Sequence, residues 1–233
     1  MRYFGGKSKI SKDLAVVLNP ITKGKPFVDL FCGACNVIEK ITTASSRMAN
    51  DNNPYLIALL KAVQNGWEPP IIVSEEQYRY TMSHLDENPV LSGFIGIDCS
   101  FSGGWHSGYA RPINKDHNYP KEAHNSLLRQ KPKLGGVTFT SCDYDKASIP
   151  VGAVVYCDPP YKGVGNKYYA RKFDYDAFTK WVEANKEKYD IYISEYKENF
   201  TQWPTSYEIA WEKESCQEMS KRKKTTEVLI HAR

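Results

Sequence analysis

The chain has 233 residues, a hydrophobic fraction of 41% and a formal net charge of +4 at pH 7. That describes one generous domain, or one domain with a substantial insertion, apolar enough for a sizeable core and against wholesale disorder. No apolar run approaches the roughly 18–20 residues of a membrane helix. The opening "MRYFGGKSKI" has no signal-peptide apolar region, so a soluble, cytoplasmic protein is expected.

Six cysteines sit in no dense array, which argues against a disulfide scaffold. Basic residues cluster at Lys7 to Lys12, Arg129 to Lys133 and Lys221 to Lys224. Such runs suit either a solvated surface or an anionic partner.

In chain order, "PFVDLF" (26–31) reads as a buried strand that stops at Gly33, and Val37, Ile38 and Ile41 follow at helical spacing. "SRMAND" (46–51) reads as a second short strand ending on an acid. In "NPYLIALLKAVQNG", Asn53 is placed as the helix cap with Pro54 at the first helical position. Leu56, Leu59, Leu60 and Val63 make the apolar stripe and Gly66 the stop. From about residue 69 to 135 the texture changes to Tyr, Ser, Gly, Asn, His and Pro around "CSFSGGWHSGYARP", the mark of an inserted region with one helix near Lys121 to Arg129. The strand–helix rhythm then resumes with "GVTFTSCD", "GAVVYCD", the helix "YDAFTKWVEANKEKY" and "DIYISEY". "SYEIAWE" and "TEVLIHA" follow with no helix between them, as an antiparallel edge pair would.

Alternating strands and helices imply an α/β fold with a mainly parallel sheet covered on both faces. Ligands of such sheets sit beyond the carboxyl ends of the strands. The tips here carry Asp29 with Gly33, Asp51, Asp143 and Asp158. A glycine turn after the first strand lets a ligand approach the backbone, and an acid after the second commonly accepts from ribose hydroxyls. Together they suggest an adenosine-containing cofactor, although no complete GxGxxG is present.

The tip "DPPY" (158–161) is more specific. The exocyclic nitrogen of adenine delocalises its lone pair into the ring and is a poor nucleophile. Two acceptors gripping its N–H bonds, the Asp158 carboxylate and the Pro159 carbonyl, would return that pair for attack. Proline fixes φ and so limits where its carbonyl points. Tyr161 would stack on the flat base. The competing reading is an ordinary turn after a strand.

These motifs, in this order, resemble the D12 class (Dam type) of DNA adenine-N6 methyltransferases over most of the length. "YFGGK" is similar to that family's opening, "FVDLFCGACNV" to its first cofactor motif, "NDNNPYLI" to the acid-bearing segment after the second strand, "TSCDYD" to the adenine-contacting segment, "DPPY" to the catalytic tetrapeptide and "TTEVLI" to the closing hairpin. The resemblance implies a Rossmann-like methyltransferase fold with a seven-stranded sheet. The catalytic domain would be residues 1–68 and 136–233, with a target-recognition insert over 69–135. It implies S-adenosyl-L-methionine as cofactor, double-stranded DNA as partner, no membrane, no metal and no obligatory protein partner.

By the same resemblance, cofactor contacts come from Tyr3, Lys7, Phe31, Gly33, Asp51, Cys142, Asp143 and Asp158, with catalysis by Asp158, Pro159, Pro160 and Tyr161. Asp51 takes the ribose hydroxyls and Asp143 lies near the cofactor's adenine amine. Lys7 meets the methionine carboxylate, braces the site, or is a surface lysine; Tyr3 is a contact or core packing. The chain departs from the family at Cys35, where the first motif usually has Gly. If that position needs positive φ, cysteine is strained by about 1 kcal/mol or more.

The pair Cys32 and Cys35 also fits the local outline of a thioredoxin-like redox motif, which would leave Asp51, Asp143 and "DPPY" without a role. Without a second Cys or His cluster it does not make a zinc site. The same framework can serve cytosine N4, RNA adenine or a protein glutamine, and a catalytically silent DNA-binding relative is the rival of another class. Asp158 leans towards adenine by family usage.

An adenine inside a duplex must be flipped out to react. Trp105, Arg111 and Lys115 in the insert, with Lys221 and Arg222 before the last strand, are the candidate DNA contacts. Arg111 is placed to read a guanine through two hydrogen bonds, and Trp105 either flanks the gap or holds the insert together. By resemblance GATC is the favoured target.

Overall fold

The computed structural model describes residues 1–112, 117–162, 173–216 and 224–233. Seven strands form one sheet: β1 (Pro26–Asp29), β2 (Ser46–Asn50), β3 (Val137–Thr140), β4 (Val154–Cys157), β5 (Asp190–Tyr196), β6 (Glu208–Cys216) and β7 (Lys224–Ala232), in the order β3-β2-β1-β4-β5-β7-β6. The first five are parallel to one another; β7 runs antiparallel to both β5 and β6. The strand order reverses between β1 and β4, the crevice where α/β sheets place ligands.

Short runs such as "PFVD" and "VVYC" suit this sheet because both of its faces are covered. Phe27, Val154 and Leu229 point into one core with Leu14, Leu18, Leu56 and Leu60. Their neighbours Val28, Val155 and Ile230 point into the other with Phe178 and Val182. Successive residues of a strand face opposite ways, so an unbroken apolar run serves both layers. The helices that cover the sheet are α1 (Ser11–Thr22) and α2 (Pro54–Gln64) on the first face and α6 (Tyr175–Asn185) on the second.

The cap of α2 forms as read: the Asn53 side chain accepts from the backbone N–H groups of Tyr55 and Leu56, and Pro54 begins the helix. One reading is corrected. The helical spacing of Val37, Ile38 and Ile41 yields a single 3-10 turn, Ile38–Lys40. Ile41 is already extended and β2 starts at Ser46, so there is no length for more turns. The helix expected near Lys121 to Arg129 is present as α5 (Tyr119–Gln130), and the described residues between α2 and β3 also form α3 (Glu75–Ser83) and α4 (Pro89–Asp98). They pack on the outer face of α2, where Leu59 and Val63 join Tyr78, Phe94, Ile95 and Leu127. No described helix is long and apolar enough to cross a membrane.

Candidate active site

The parallel register sets Asp29 of β1 beside Ala49 of β2 and Tyr156 of β4. Asp51 and Asp158, one residue past their strands, therefore reach the same edge. All four tip acids, Asp29, Asp51, Asp143 and Asp158, line one cavity of about 310 Å³. Sequence reasoning missed the residue that ties the tips together. Asn50 donates from Nδ2 to the carbonyls of Leu30 and Cys142, and its Oδ1 accepts from Thr140 Oγ1 and Cys142 Sγ. Inside a strand motif it carries no signal that separates it from an ordinary strand-end polar residue.

Gly33 sits at φ +44, and a Cβ there would lie 2.7 Å from Cε1 of Tyr3. Its N–H donates to Asp51 Oδ2 at 3.1 Å, while Asp51 Oδ1 accepts from the Asn53 N–H at 3.0 Å. Asp51 is thus fixed from both sides, and burial raises its pKa. Tyr3 lines the cavity and also packs against the core. Phe31 stands against Tyr144 and Phe173 with ring centroids 5.6 and 5.8 Å apart, an aromatic wall beside the exposed Asp143. Cys142 lines the cavity next to it.

Asp29 is 2% exposed, and its buried Oδ1 has no hydrogen-bond partner among the described residues. Burial and the nearby Asp158 hold its carboxyl well above the usual range. A buried polar atom of this kind is free to bond a ligand or a water in the cavity. Cys35 has φ 59, so the position does require the left-handed conformation and the thiol bears that strain. Burial pushes the Cys32 thiol well up, the opposite of what a reactive dithiol needs.

At the β4 tip, Lys7 Nζ lies 2.9 Å from Asp158 Oδ1 and 3.9 Å from Glu227 Oε2. It also stands 4.3 Å above the Tyr161 ring. Of the alternatives for Lys7, the geometry is that of a brace: its side chain is 9% exposed. Asp158 is pushed up to about 6, mainly by burial, with Lys7 opposing. Tyr161, expected as a stacking platform, is instead 6% exposed. One face is occupied by Lys7, the ring packs edge-to-face with Tyr196, and its hydroxyl donates to Glu227. The two prolines part company: Pro160 lines the acid-rich cavity, whereas Pro159 lines a second one with Tyr175, Glu195 and Trp203.

The expected DNA contacts scatter. Arg111 makes a two-point pair with Glu75, at 3.1 and 2.6 Å. Trp105 stacks on Tyr55 and His106, with centroids 5.4 and 4.1 Å apart, and packs against the core. Lys115, Lys221 and Arg222 lie outside the described residues.

A sheet of this order, with an acid-lined cavity at its switch point, defines a Rossmann-like α/β protein with a cofactor-sized cleft. The chain belongs to the D12 class N6 adenine-specific DNA methyltransferase family, whose model matches residues 3–92 and 106–225. It is 25% identical over 201 residues to the retron Ec67 DNA adenine methylase of Escherichia coli, covering 76% of this chain and 68% of that one. Among solved structures, it is similar to the putative methyltransferase yhhF from Escherichia coli, with 10% identity, 96% and 84% of the two chains covered and a TM-score of 0.41. The rRNA methyltransferase aviRa from Streptomyces viridochromogenes gives 10% identity, 96% and 83% coverage and a TM-score of 0.42. Family membership makes S-adenosyl-L-methionine the methyl donor and DNA adenine the substrate class.

Proposed function

We propose that this chain methylates the N6 amino group of an adenine flipped out of a specific double-stranded DNA sequence, with GATC the first candidate by resemblance to Dam-type enzymes. The observation that carries the reading is the position of Asp158: a carboxylate braced by Lys7 at the wall of the acid-rich cavity, followed at once by a proline that faces the neighbouring cavity.

S-adenosyl-L-methionine, when bound, supplies an electrophilic methyl group on a sulfonium. The residues present fit it. Asp51, immobilised by two backbone donors, keeps lone pairs for ribose hydroxyls. The orphaned Oδ1 of Asp29 suits an ammonium. Gly33 admits close backbone approach, and Phe31 with Tyr144 offers flat apolar surface next to Asp143.

Asp158 and the Pro159 carbonyl accept the two N–H bonds of the target amine, drawing its lone pair out of the ring. Asp158 then stabilises the positive charge that develops on nitrogen, and the proton leaves to solvent. Lys7 opposes protonation of Asp158, as an acceptor role requires. Tyr161 supports this geometry from behind rather than as a free stacking face. Residues 69–135 serve as the recognition region. Arg111 would exchange Glu75 for DNA, and Lys115, Lys221 and Arg222 would meet phosphates.

Replacing Asp158 by Ala should lower the rate of methyl transfer to DNA by roughly 10²–10³-fold, measured as single-turnover transfer from labelled donor. Donor binding, measured by calorimetry, should persist. A variant that transfers at the wild-type rate would remove Asp158 from the mechanism.

A further inference from the structure

Glu227 lies mid-strand in β7, opposite Tyr196 of β5 and Lys213 of β6, and is 7% exposed. A carboxylate held this deep between strands is costly unless its oxygens are used. Both groups that meet it belong to the tetrapeptide and its brace. Tyr161 donates its hydroxyl to Glu227 Oε2 at 3.2 Å, and Lys7 Nζ approaches the same oxygen at 3.9 Å. Tyr161 and Lys7 also touch one another, ammonium over ring. Lys7 in turn meets Asp158. The four side chains close a loop from the N-terminal segment through "DPPY" to the edge hairpin.

We propose that Glu227 is a positioning residue for methyl transfer: it anchors Tyr161 and Lys7 so that Asp158 is held in its reactive orientation. Glu227 adds a polar anchor to two groups already held by packing: Lys7 also meets Asp158 and the Gly5 carbonyl, and Tyr161 packs between Lys7 and Tyr196. Tyr161 is the last residue of a turn stiffened by two prolines, so its hydroxyl sets how that turn seats. Lys7 hangs on a flexible stem that a carboxylate on each side confines. Glu227 also adds negative charge near Asp158. The other groups that act on Asp158 are Lys7 and Tyr161, with Asp29 of β1, Tyr156 of β4 and Glu195 of β5. Lys7 lowers its pKa, while Glu227 raises it.

The inference rests on the role given to Asp158 above, and two readouts keep the two apart. The first is the carboxyl ¹³C titration of Asp158 in the protein alone, assigned with Asp158→Asn. In Glu227→Gln the midpoint should fall below that of wild type, since a like charge is gone; an unmoved or raised midpoint overturns the proposal. The second is methyl transfer to DNA at saturating donor. Glu227→Ala should lose about ten- to a hundredfold in kcat with donor KM little changed, as expected for misplacement of a reacting group. Glu227→Gln, which keeps an acceptor for the Tyr161 hydroxyl, should recover most of it. Equal kcat in Glu227→Ala and wild type would refute the role, as would a Gln variant no better than Ala. Should Glu227→Ala not fold, Tyr161→Phe, which removes the same hydrogen bond, decides: a wild-type kcat at saturating donor refutes the role. A wild-type protein that labels no DNA, with the midpoint shift intact, would sink the substrate assignment and leave the coupling of Glu227 to Asp158 standing.

Discussion

Asp158 works in two opposed directions as pH changes. Its carboxyl is pushed up to about 6 from an ordinary value of 3.8, chiefly by burial and against the pull of Lys7. As an acceptor it must be ionised, so kcat should rise as pH increases through about 6 and level off above. Stability runs the other way. The folded protein holds this proton more tightly than the unfolded chain, so the stabilisation is complete below about pH 4 and is lost as pH climbs through 6. Urea midpoints of wild type and Asp158→Asn should therefore diverge between pH 4 and 6.5, wild type losing ground as pH rises. A constant difference would mean the carboxyl titrates normally. The tip acids and "DPPY" could be named from sequence because each ends a strand. The direction of the Tyr161 ring could not, since it depends on Glu227, which lies 66 residues further on in β7. Cys35 stands where the family usually has glycine, and its φ of 59 shows that the backbone demand survives the substitution.

Among the elements, α2 and α4 illustrate what local pattern can and cannot reveal. The cap, the proline and the apolar stripe of α2 all stand in one stretch of sequence. In α4 every residue from Ser92 to Asp98 is buried, so no polar face marks it as helical. Its two glycines look like loop punctuation yet are packing devices. A Cβ on Gly93 would lie 2.1 Å from the Tyr55 carbonyl oxygen, so α4 presses its backbone onto α2 there. Gly93→Ala should cost about 1–3 kcal/mol or more through overpacking, lowering Tm by at least about 2 °C for a chain of this size. Differential scanning calorimetry reads this directly; an unchanged Tm would mean the two helices can part freely. Gly96 has the same duty against Trp105, leaving room for that ring to stack on Tyr55.

For the molecule as a whole, the strand count, the parallel core and the antiparallel edge pair followed from the alternation of apolar runs and amphipathic stretches. The order of the sheet places β7 between β5 and β6, and that order brings Glu227 to the "DPPY" turn. Long-range pairing of this sort leaves no local trace. The contacts to DNA were the least legible part: Arg111 is committed to Glu75 and Trp105 to its stack. What these side chains do on a duplex depends on the partner.

The central claim is that the Asp158 carboxylate and the Pro159 carbonyl activate an adenine N6 for methyl transfer within a defined DNA sequence. Its most direct test is to incubate the protein and its Asp158→Ala variant with unmethylated DNA and S-adenosyl-L-methionine, then map modified bases by single-molecule sequencing. The account predicts N6-methyladenine at one recurring sequence with wild type and almost none with the variant. Modification of cytosine, labelling of RNA or protein in place of DNA, or equal methylation by the variant would contradict it.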